Sequence, residues 1–219
     1  VANCRTVGNV PDEFEILFLQ GGATLQFAMI AMNFLLDGKS ADYLDTGVWT
    51  TKSIAEARKI GNVHLAYDGS LTNYDHCPVD TELDLHEDAA YLHYCSNNTI
   101  YGTHFTAVPK TDSPVICDMS SDMFSRPIDW SSFDMVYAGA QKNLGPSGVV
   151  LVIIRKTMLE KCPDSLPLLL NYNAVAKKGS ILNTPPTFGI YLMGEVFKWI
   201  LAEGGLQAIE KHNVHKAGM

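Results

Sequence analysis

The sequence has few basic residues, no long apolar run and no pattern of metal ligands. Its 219 residues include 16 Lys and Arg against 24 Asp and Glu, which gives a formal net charge of −8. Because the basic residues are also dispersed, the chain lacks the electrostatic footprint of a nucleic-acid-binding protein. No apolar run is long enough to cross a membrane as a helix. The seven histidines are scattered, and none stands at a spacing typical of metal sites.

The cysteine pattern argues against a disulfide framework. The five cysteines include no C-x-x-C pair, and Cys95 and Cys117 lie in apolar runs typical of strands. We therefore expect reduced core cysteines and a reducing compartment, either the cytoplasm or, for a plant parent, the plastid. The chain begins with Val1 and stops inside a predicted helix at Met219. We interpret it as a fragment whose targeting segment, if one exists, lies outside it.

Short apolar strands alternate with helical patterns along the chain. Strands are predicted over 15–19, 41–46, 62–67, 91–95, 115–117, 133–140 and 149–154. Helices are predicted over 25–36 and 51–60, from about 188 to the glycines at 204–205, and again from 206. Residues 166–180 are predicted to be irregular. This alternation is typical of an α/β fold with a mixed, largely parallel sheet covered by helices.

Lys142 stands between two apolar strands, on a turn that contains glycine and proline. The apolar run 133–140 precedes it, and Gly145-Pro146-Ser147-Gly148 and the strand 149–154 follow it. Apolar walls would partly desolvate such a lysine, lower its pKa and free the amine as a nucleophile that can form an imine. The same spacing also fits an ordinary turn lysine, so both interpretations stand at this point.

Three further features lie at predicted strand ends. The glycine turn 21–24 opens a helix, whose free N–H groups could bind a phosphate, although a plain strand-to-helix turn gives the same pattern. Trp49 could stack on an aromatic cofactor or pack under a loop. Asp118 could pair with a protonated pyridinium nitrogen or cap a turn together with Ser120.

Five stretches carry a resemblance that runs from about residue 9 to the end of the chain. They are FLQGGATLQFAMIAMN, ADYLDTGVW, CDMSSDMFSRPIDW, YAGAQKNLGPSGVVLVIIR and NTPPTFGIYLMG. The combination of AGAQKN-x-G and NTPP-T is highly specific. These stretches resemble the phosphoserine aminotransferase family, class-V enzymes that use pyridoxal 5'-phosphate (PLP). The resemblance implies the large domain of a fold-type-I PLP-transferase, with a mixed, mostly parallel sheet covered by helices.

The resemblance also implies roles for individual residues. Lys142 forms the covalent imine with the cofactor and moves the proton during catalysis, and Asp118 pairs with the pyridine nitrogen. The other implied cofactor contacts are Trp49 on the ring, Thr99 at the phenolic oxygen, Ala23, Thr24 and Gln141 at the phosphate, and Asn183 and Thr184 at the phosphate of a neighbouring subunit's cofactor. The last pair implies a homodimer with shared active sites. No metal is implied.

The implied reaction transfers an amino group from L-glutamate to 3-phosphohydroxypyruvate, a phosphorylated 2-oxo acid. It gives O-phospho-L-serine and 2-oxoglutarate in serine biosynthesis. The alternative is a truncated, noncatalytic remnant that binds PLP or dimerises without turnover. Another class-V enzyme, such as a serine–glyoxylate aminotransferase or a cysteine desulfurase, is disfavoured by the NTPP-T and AGAQKN stretches. It is also disfavoured by the lack of a cysteine on a mobile loop.

The resemblance implies a domain division and shows some departures. We predict an irregular N-terminal segment over 1–9, a PLP-binding large domain over 10–205, and over 206–219 the start of a helix leading to an absent small domain.

The family usually has Glu and His where this chain has Asn98 and Tyr101. No residue matches the family's substrate-binding arginines, and Arg126 and Arg155 are expected to be surface or structural residues.

Overall fold

A seven-stranded sheet forms the centre of the computed structural model, which describes residues 1–36 and 38–219. The strands are β1 (Phe14–Leu19), β2 (Ser40–Asp45), β3 (Asn62–Asp68), β4 (Leu92–Cys95), β5 (Asn97–Asn98), β6 (Thr103–His104), β7 (Val115–Asp118), β8 (Met135–Gly139) and β9 (Val150–Arg155). The helices are α1 (Ala2–Gly8), α2 (Gly22–Phe34), α3 (Val48–Ala57), α4 (Lys156–Leu159), α5 (Tyr172–Ala176), α6 (Thr187–Ala202) and α7 (Leu206–Ala217).

The sheet has the order β1-β9-β8-β7-β4-β2-β3. The five strands from β8 to β3 run parallel, whereas β9 and β1 are each antiparallel to their neighbours. This confirms the predicted mixed, mostly parallel α/β architecture. Because the ends of parallel strands meet at one edge, Cys95 and Asp118 lie side by side in register at the carboxyl ends of β4 and β7, and Tyr137 in the middle of β8 lies beside Asp118. β5 and β6 form a separate short hairpin just beyond this edge.

Both faces of the sheet are covered by an apolar layer. On one face the sheet packs against α1 and α6, which contribute Val7 and Phe197. On the other it packs against α2, α3 and α5, which contribute Phe27, Ile54 and Val175. Successive residues of β9 enter the two layers in turn, as the period of two in a strand requires, and this explains its unbroken apolar run.

The segment 1–9 is helical, so the prediction of an irregular N-terminus is wrong. The seven residues of α1 are too few to form a stable helix alone, and tertiary contacts hold them. Cys4 and Val7 are buried in the same layer as α6. The indole N–H of Trp130 donates to the Gly8 carbonyl at 2.7 Å, and the Arg5 guanidinium donates to the carbonyl of Pro11 at 2.6 Å. The predicted domain boundaries at 10 and 206 stay predictions.

Part of the segment 166–180 is also helical, so the prediction that it is irregular is wrong there. It contains α5, whose first turn is capped by the Asn171 side chain, which accepts the N–H of Ala174 at 2.9 Å. Val175 then packs into the core. A helix of five residues carries too short a pattern to be recognised from apolar spacing.

All five cysteines are free, and four of them are buried. Across residues 1–36 and 38–219, no helix combines the length and apolar character needed to cross a bilayer. Over the same residues, no three His, Cys, Asp or Glu side chains are grouped to hold a metal ion.

Candidate active site

A cavity of about 270 Å³ lies at the carboxyl ends of β4 and β7, beside the first turns of α2 and α3. Six of the nine predicted site residues line it: Ala23, Thr24, Trp49, Asp118, Gln141 and Lys142. These residues come from the first turns of α2 and α3, the end of β7 and the turn after β8, which the sheet brings to one edge. Thr99 contacts the site from the β5–β6 hairpin, and Asn183 and Thr184 lie outside the cavity.

The first turn of α2 provides the free backbone donors of an anion site. Gly21 and Gly22 have φ angles of 87° and 66°, a left-handed conformation that favours glycine. α2 therefore begins at Gly22, three residues earlier than the apolar pattern predicts, and Ala23 and Thr24 lie in its first turn. No side chain in the described part of the chain caps this end. Its N–H groups, together with the helix dipole, favour a bound anion such as a phosphate.

Trp49 lies in the first turn of α3 and faces the cavity. Its ring is half-buried, with the Nζ of Lys142 5.4 Å and the Nζ of Lys52 5.0 Å from the ring centre. The N-terminal end of α3 is fixed by Thr50, whose hydroxyl accepts the N–H of Gly47 at 3.1 Å and donates to Asp45 at 2.9 Å. The indole is therefore held at the cavity wall, where an aromatic ligand can stack on it.

Asp118 ends β7, and only 4% of its surface is exposed. Its Oδ1 accepts the N–H of Ser120 at 2.9 Å and the hydroxyl of Ser120 at 2.6 Å. Burial raises the pKa of Asp118, while the Ser120 hydrogen bonds and the charge of Lys142 act in the opposite direction. Within the described residues Oδ2 has no hydrogen-bond partner, and the side chain lines the cavity. The predicted turn with Ser120 thus leaves one carboxylate oxygen for a ligand.

Lys142 is exposed, which differs from the predicted partial desolvation between apolar walls. The apolar residues of β8 and β9 point into the two core layers, so the turn between them projects its lysine away from both. The Nζ donates to Thr99 Oγ1 at 3.1 Å. Trp49 is the large apolar group beside it. The amine therefore stands at the mouth of the cavity, next to the indole.

Asn183 and Thr184 are exposed and lie near Gln20 at the end of β1. The Gln20 side-chain amide lies 3.3 Å from both Asn183 Oδ1 and the carbonyl oxygen of Thr184. The two residues do not line the cavity of their own chain. Their contact with a neighbouring subunit's cofactor stays a prediction.

The two departures from the family pattern are packed close to the site. Asn98 is buried, and neither atom of its side-chain amide has a hydrogen-bond partner in the described part of the chain. A Cβ on Gly47 would lie 2.7 Å from Asn98 Cγ. The ring of Tyr101 packs on that of Tyr74 at 4.5 Å.

The two arginines that we expected to be surface or structural residues both make local ion pairs. Arg126 lies 3.5 Å from Asp122. Arg155 lies 3.3 Å from Asp134 and donates to the Phe133 carbonyl at 3.0 Å.

The sequence patterns missed several residues that line the cavity. These are Phe27, Cys95, Asn97, Ser121 and Ser147, while Ser120 was considered only as part of a cap. Cys95 could have been found, because it ends β4 in register with Asp118. The serines lie in loops, and Asn97 lies in the two-residue strand β5, so sequence periodicity carries no information on the direction of these side chains.

The comparisons with known proteins agree with this geometry. The aminotransferase class-V family model matches residues 2–219. A phosphoserine aminotransferase of Niallia circulans is 50% identical over 214 residues, which are 97% of this chain and 59% of the relative.

Two solved structures are also similar. One is a phosphoserine aminotransferase from Bacillus circulans subsp. alkalophilus, with a TM-score of 0.95 and 47% identity, covering 99% of this chain and 60% of that one. The other is a PLP-bound phosphoserine aminotransferase from Trichomonas vaginalis, with a TM-score of 0.92 and 40% identity, covering 99% of this chain and 61% of that one.

These matches confirm the resemblance that the sequence motifs carry. The chain spans about three-fifths of the length of the relatives it matches. The similarity extends over the strands, the cavity and the turn that carries Lys142. The chain belongs to the class-V aminotransferase family.

Proposed function

We propose that this chain is the cofactor-binding part of a phosphoserine aminotransferase. The substrates would be L-glutamate and 3-phosphohydroxypyruvate, and the products O-phospho-L-serine and 2-oxoglutarate, in serine biosynthesis. One observation carries the proposal: Lys142, Asp118 and Trp49 line a single cavity that also includes the uncapped start of α2. The relatives named phosphoserine aminotransferase support the choice of reaction.

The residues of this cavity fit PLP. The first-turn N–H groups of α2, near Ala23 and Thr24, suit the phosphate. The free Oδ2 of Asp118 suits the pyridine nitrogen, and the Trp49 ring suits the face of the pyridine. Lys142 provides the amine to which the aldehyde would attach. Buried Asp118 would otherwise be a costly group, so a cationic partner explains its position.

Each of these side chains has a separate task in the proposed site. PLP, when bound, supplies an electron sink for the bond broken at the substrate's α-carbon. Asp118 holds positive charge at the ring nitrogen, because an ionised buried carboxylate is stabilised by an opposite charge close by. Lys142 can take and return a proton at its Nζ, and Thr99 Oγ1 orients that atom. Trp49 fixes the plane of the ring and excludes water from one side.

The proposal includes a homodimer with shared active sites. Asn183 and Thr184 are exposed and lie outside their own cavity, at a surface where a second copy can contact them. The alternative is a noncatalytic remnant that binds PLP or dimerises without turnover. The exposure of Lys142 favours this alternative, because no enclosed pocket surrounds the amine within the described residues.

The half-reaction with glutamate tests the proposal. The chain would be loaded with PLP, freed of excess cofactor and mixed with L-glutamate, and 2-oxoglutarate would be measured. The proposal predicts about one 2-oxoglutarate per bound PLP, and release of O-phospho-L-serine when 3-phosphohydroxypyruvate follows. Asp118→Ala should weaken PLP binding and slow the half-reaction together. If the chain binds PLP but forms no 2-oxoglutarate, the result supports the alternative of a noncatalytic remnant.

A further inference from the structure

Ser120 connects the two sides of the cavity through one buried hydroxyl group. The hydroxyl donates to Asp118 Oδ1 at 2.6 Å, and the same oxygen accepts the N–H of Gly139 at 3.0 Å. The Ser120 N–H donates to the same Oδ1 at 2.9 Å. Gly139 ends β8, three residues before Lys142. A single side chain thus bonds both the carboxylate of β7 and the strand that leads into the lysine turn.

The turn itself is common in this chain and does not define a site. Ser70 and Ser131 make the same pair of hydrogen bonds to Asp68 and Asp129, with hydroxyl distances of 2.6 and 2.7 Å. Those two turns involve exposed hydrogen-bonding groups, whereas Ser120 is 9% exposed and lines the cavity. Within the described residues, Ser120 is the one of these three serines whose hydroxyl also accepts a strand N–H, that of Gly139.

We propose that Ser120 is a positioning residue that occupies Asp118 Oδ1, directs Oδ2 into the cavity and keeps the carboxylate ionised. This inference rests on the proposed function, because Asp118 acts there on the cofactor. A hydrogen bond to the charged form of a buried carboxylate stabilises that form. Since both donors bind the same oxygen, the other oxygen is left for a cationic ligand.

The other titratable groups around Asp118 do not duplicate this role. Lys142 lowers the pKa of Asp118 through its charge, but its side chain is exposed and bonded to Thr99. Asp122, on the same loop, raises the pKa of Asp118. Cys95 and Tyr137 flank Asp118 on β4 and β8, and burial raises the pKa of both, so they stay neutral. Ser120 is therefore the neutral donor on which the ionised carboxylate depends.

The test compares Ser120→Ala with Ser120→Thr, which keeps the hydroxyl, and with Ser131→Ala, which removes the same bond from the exposed turn. The carboxyl signal of Asp118 would be followed by NMR against pH in the PLP-free chain, and assigned with Asp118→Asn. We expect Ser120→Ala to move the titration midpoint to higher pH. It should also weaken PLP binding at neutral pH by about tenfold. Both controls should stay near the wild-type values.

A purely structural role would give a different result. Ser120→Ala would then lower the melting temperature while the Asp118 midpoint and the PLP affinity stayed as in the wild type, and this overturns the inference. The inference is also overturned if Ser120→Thr, which keeps the hydroxyl, shifts the Asp118 midpoint and the PLP affinity as much as Ser120→Ala does. If the wild-type chain fails to bind PLP, the proposed function fails. If the Asp118 midpoint of that chain still depends on Ser120, Ser120 does position Asp118, but Asp118 does not serve this cofactor.

Discussion

The Nζ of Lys142 donates a hydrogen bond to Oγ1 of Thr99 at 3.1 Å, between residues 43 positions apart in sequence. Thr99 stands in the turn of the β5–β6 hairpin, and Lys142 in the turn after β8. The hairpin follows β4 in the chain. The segment after β4 therefore bonds the amine carried by the turn after β8. This contact links the fold to the proposed chemistry, because it fixes the lysine at the mouth of the cavity.

Replacing Thr99 by Val should reduce the attachment of PLP to Lys142. The substitution removes the hydroxyl that accepts from Nζ and keeps a side chain of similar shape. Because both groups are exposed, water replaces part of the lost bond, so we expect an affinity loss of about three- to tenfold. Titration with PLP, followed by the quenching of tryptophan fluorescence to which Trp49 at the cavity wall contributes, would measure it. Thr99→Ser keeps the hydroxyl and should bind like the wild type; equal losses in both variants would show that the hydroxyl is not the cause.

Replacing Gly47 by Ala should destabilise the chain. Gly47 has a φ of 147°, and an added Cβ would lie 2.7 Å from the buried Asn98 Cγ. Backbone strain and overlap together should cost about 2–4 kcal/mol of the free energy of unfolding, measured by urea denaturation. Gly179→Ala is the matched control, because its φ of 56° is also left-handed but its Cβ would meet nothing within 4 Å. It should cost about 1 kcal/mol. Equal losses at the two sites would contradict the overlap with Asn98.

His93 should make the chain less stable in acid. It is 1% exposed, and burial lowers its pKa from 6.5 to about 3. Between these values the unfolded chain takes up a proton that folded His93 does not, so stability is present above pH 6.5 and is lost as the pH falls towards 3. The slope from this group is about 1.4 kcal/mol per pH unit.

His93→Gln removes that contribution. Its free energy of unfolding, followed from pH 7 to pH 4 by urea denaturation, should decline less steeply than that of the wild type. The absolute stability of the variant will also fall, because the Tyr137 hydroxyl loses its partner at 2.9 Å. The comparison therefore uses the slopes. Parallel slopes would show that His93 protonates freely in the folded chain.

The strand ends could be predicted because buried strands are visible as apolar runs. The runs that end near Cys95, Asp118 and Gly139 placed the cavity, since parallel strands bring such ends together. The resemblance added Thr99 and Gln141 as predicted cofactor contacts, which no period in the sequence reveals. Strand ends and motifs together therefore located most of the site.

The environment of the lysine could not be predicted in the same way. The direction of Lys142 depends on a turn in which Gly145 and Gly148 have φ angles of 154° and 98°, and apolar spacing does not encode such angles. The helix α1 was missed because the Trp130 indole and the Pro11 carbonyl, which bond its Gly8 carbonyl and its Arg5 side chain, both lie outside the helix. The double role of Ser120 was missed because Gly139 is distant in sequence.

The most direct measurement is the mapping of a covalent PLP adduct. The chain and its Lys142→Ala variant would be incubated with PLP, reduced with borohydride, digested and analysed by mass spectrometry. The account predicts a visible absorption band before reduction and one modified peptide containing Lys142 in the wild type. It predicts neither in the variant, which should keep the wild-type fold by circular dichroism. A folded wild type labelled at other lysines, or a variant labelled as strongly as the wild type, would contradict the assignment of Lys142.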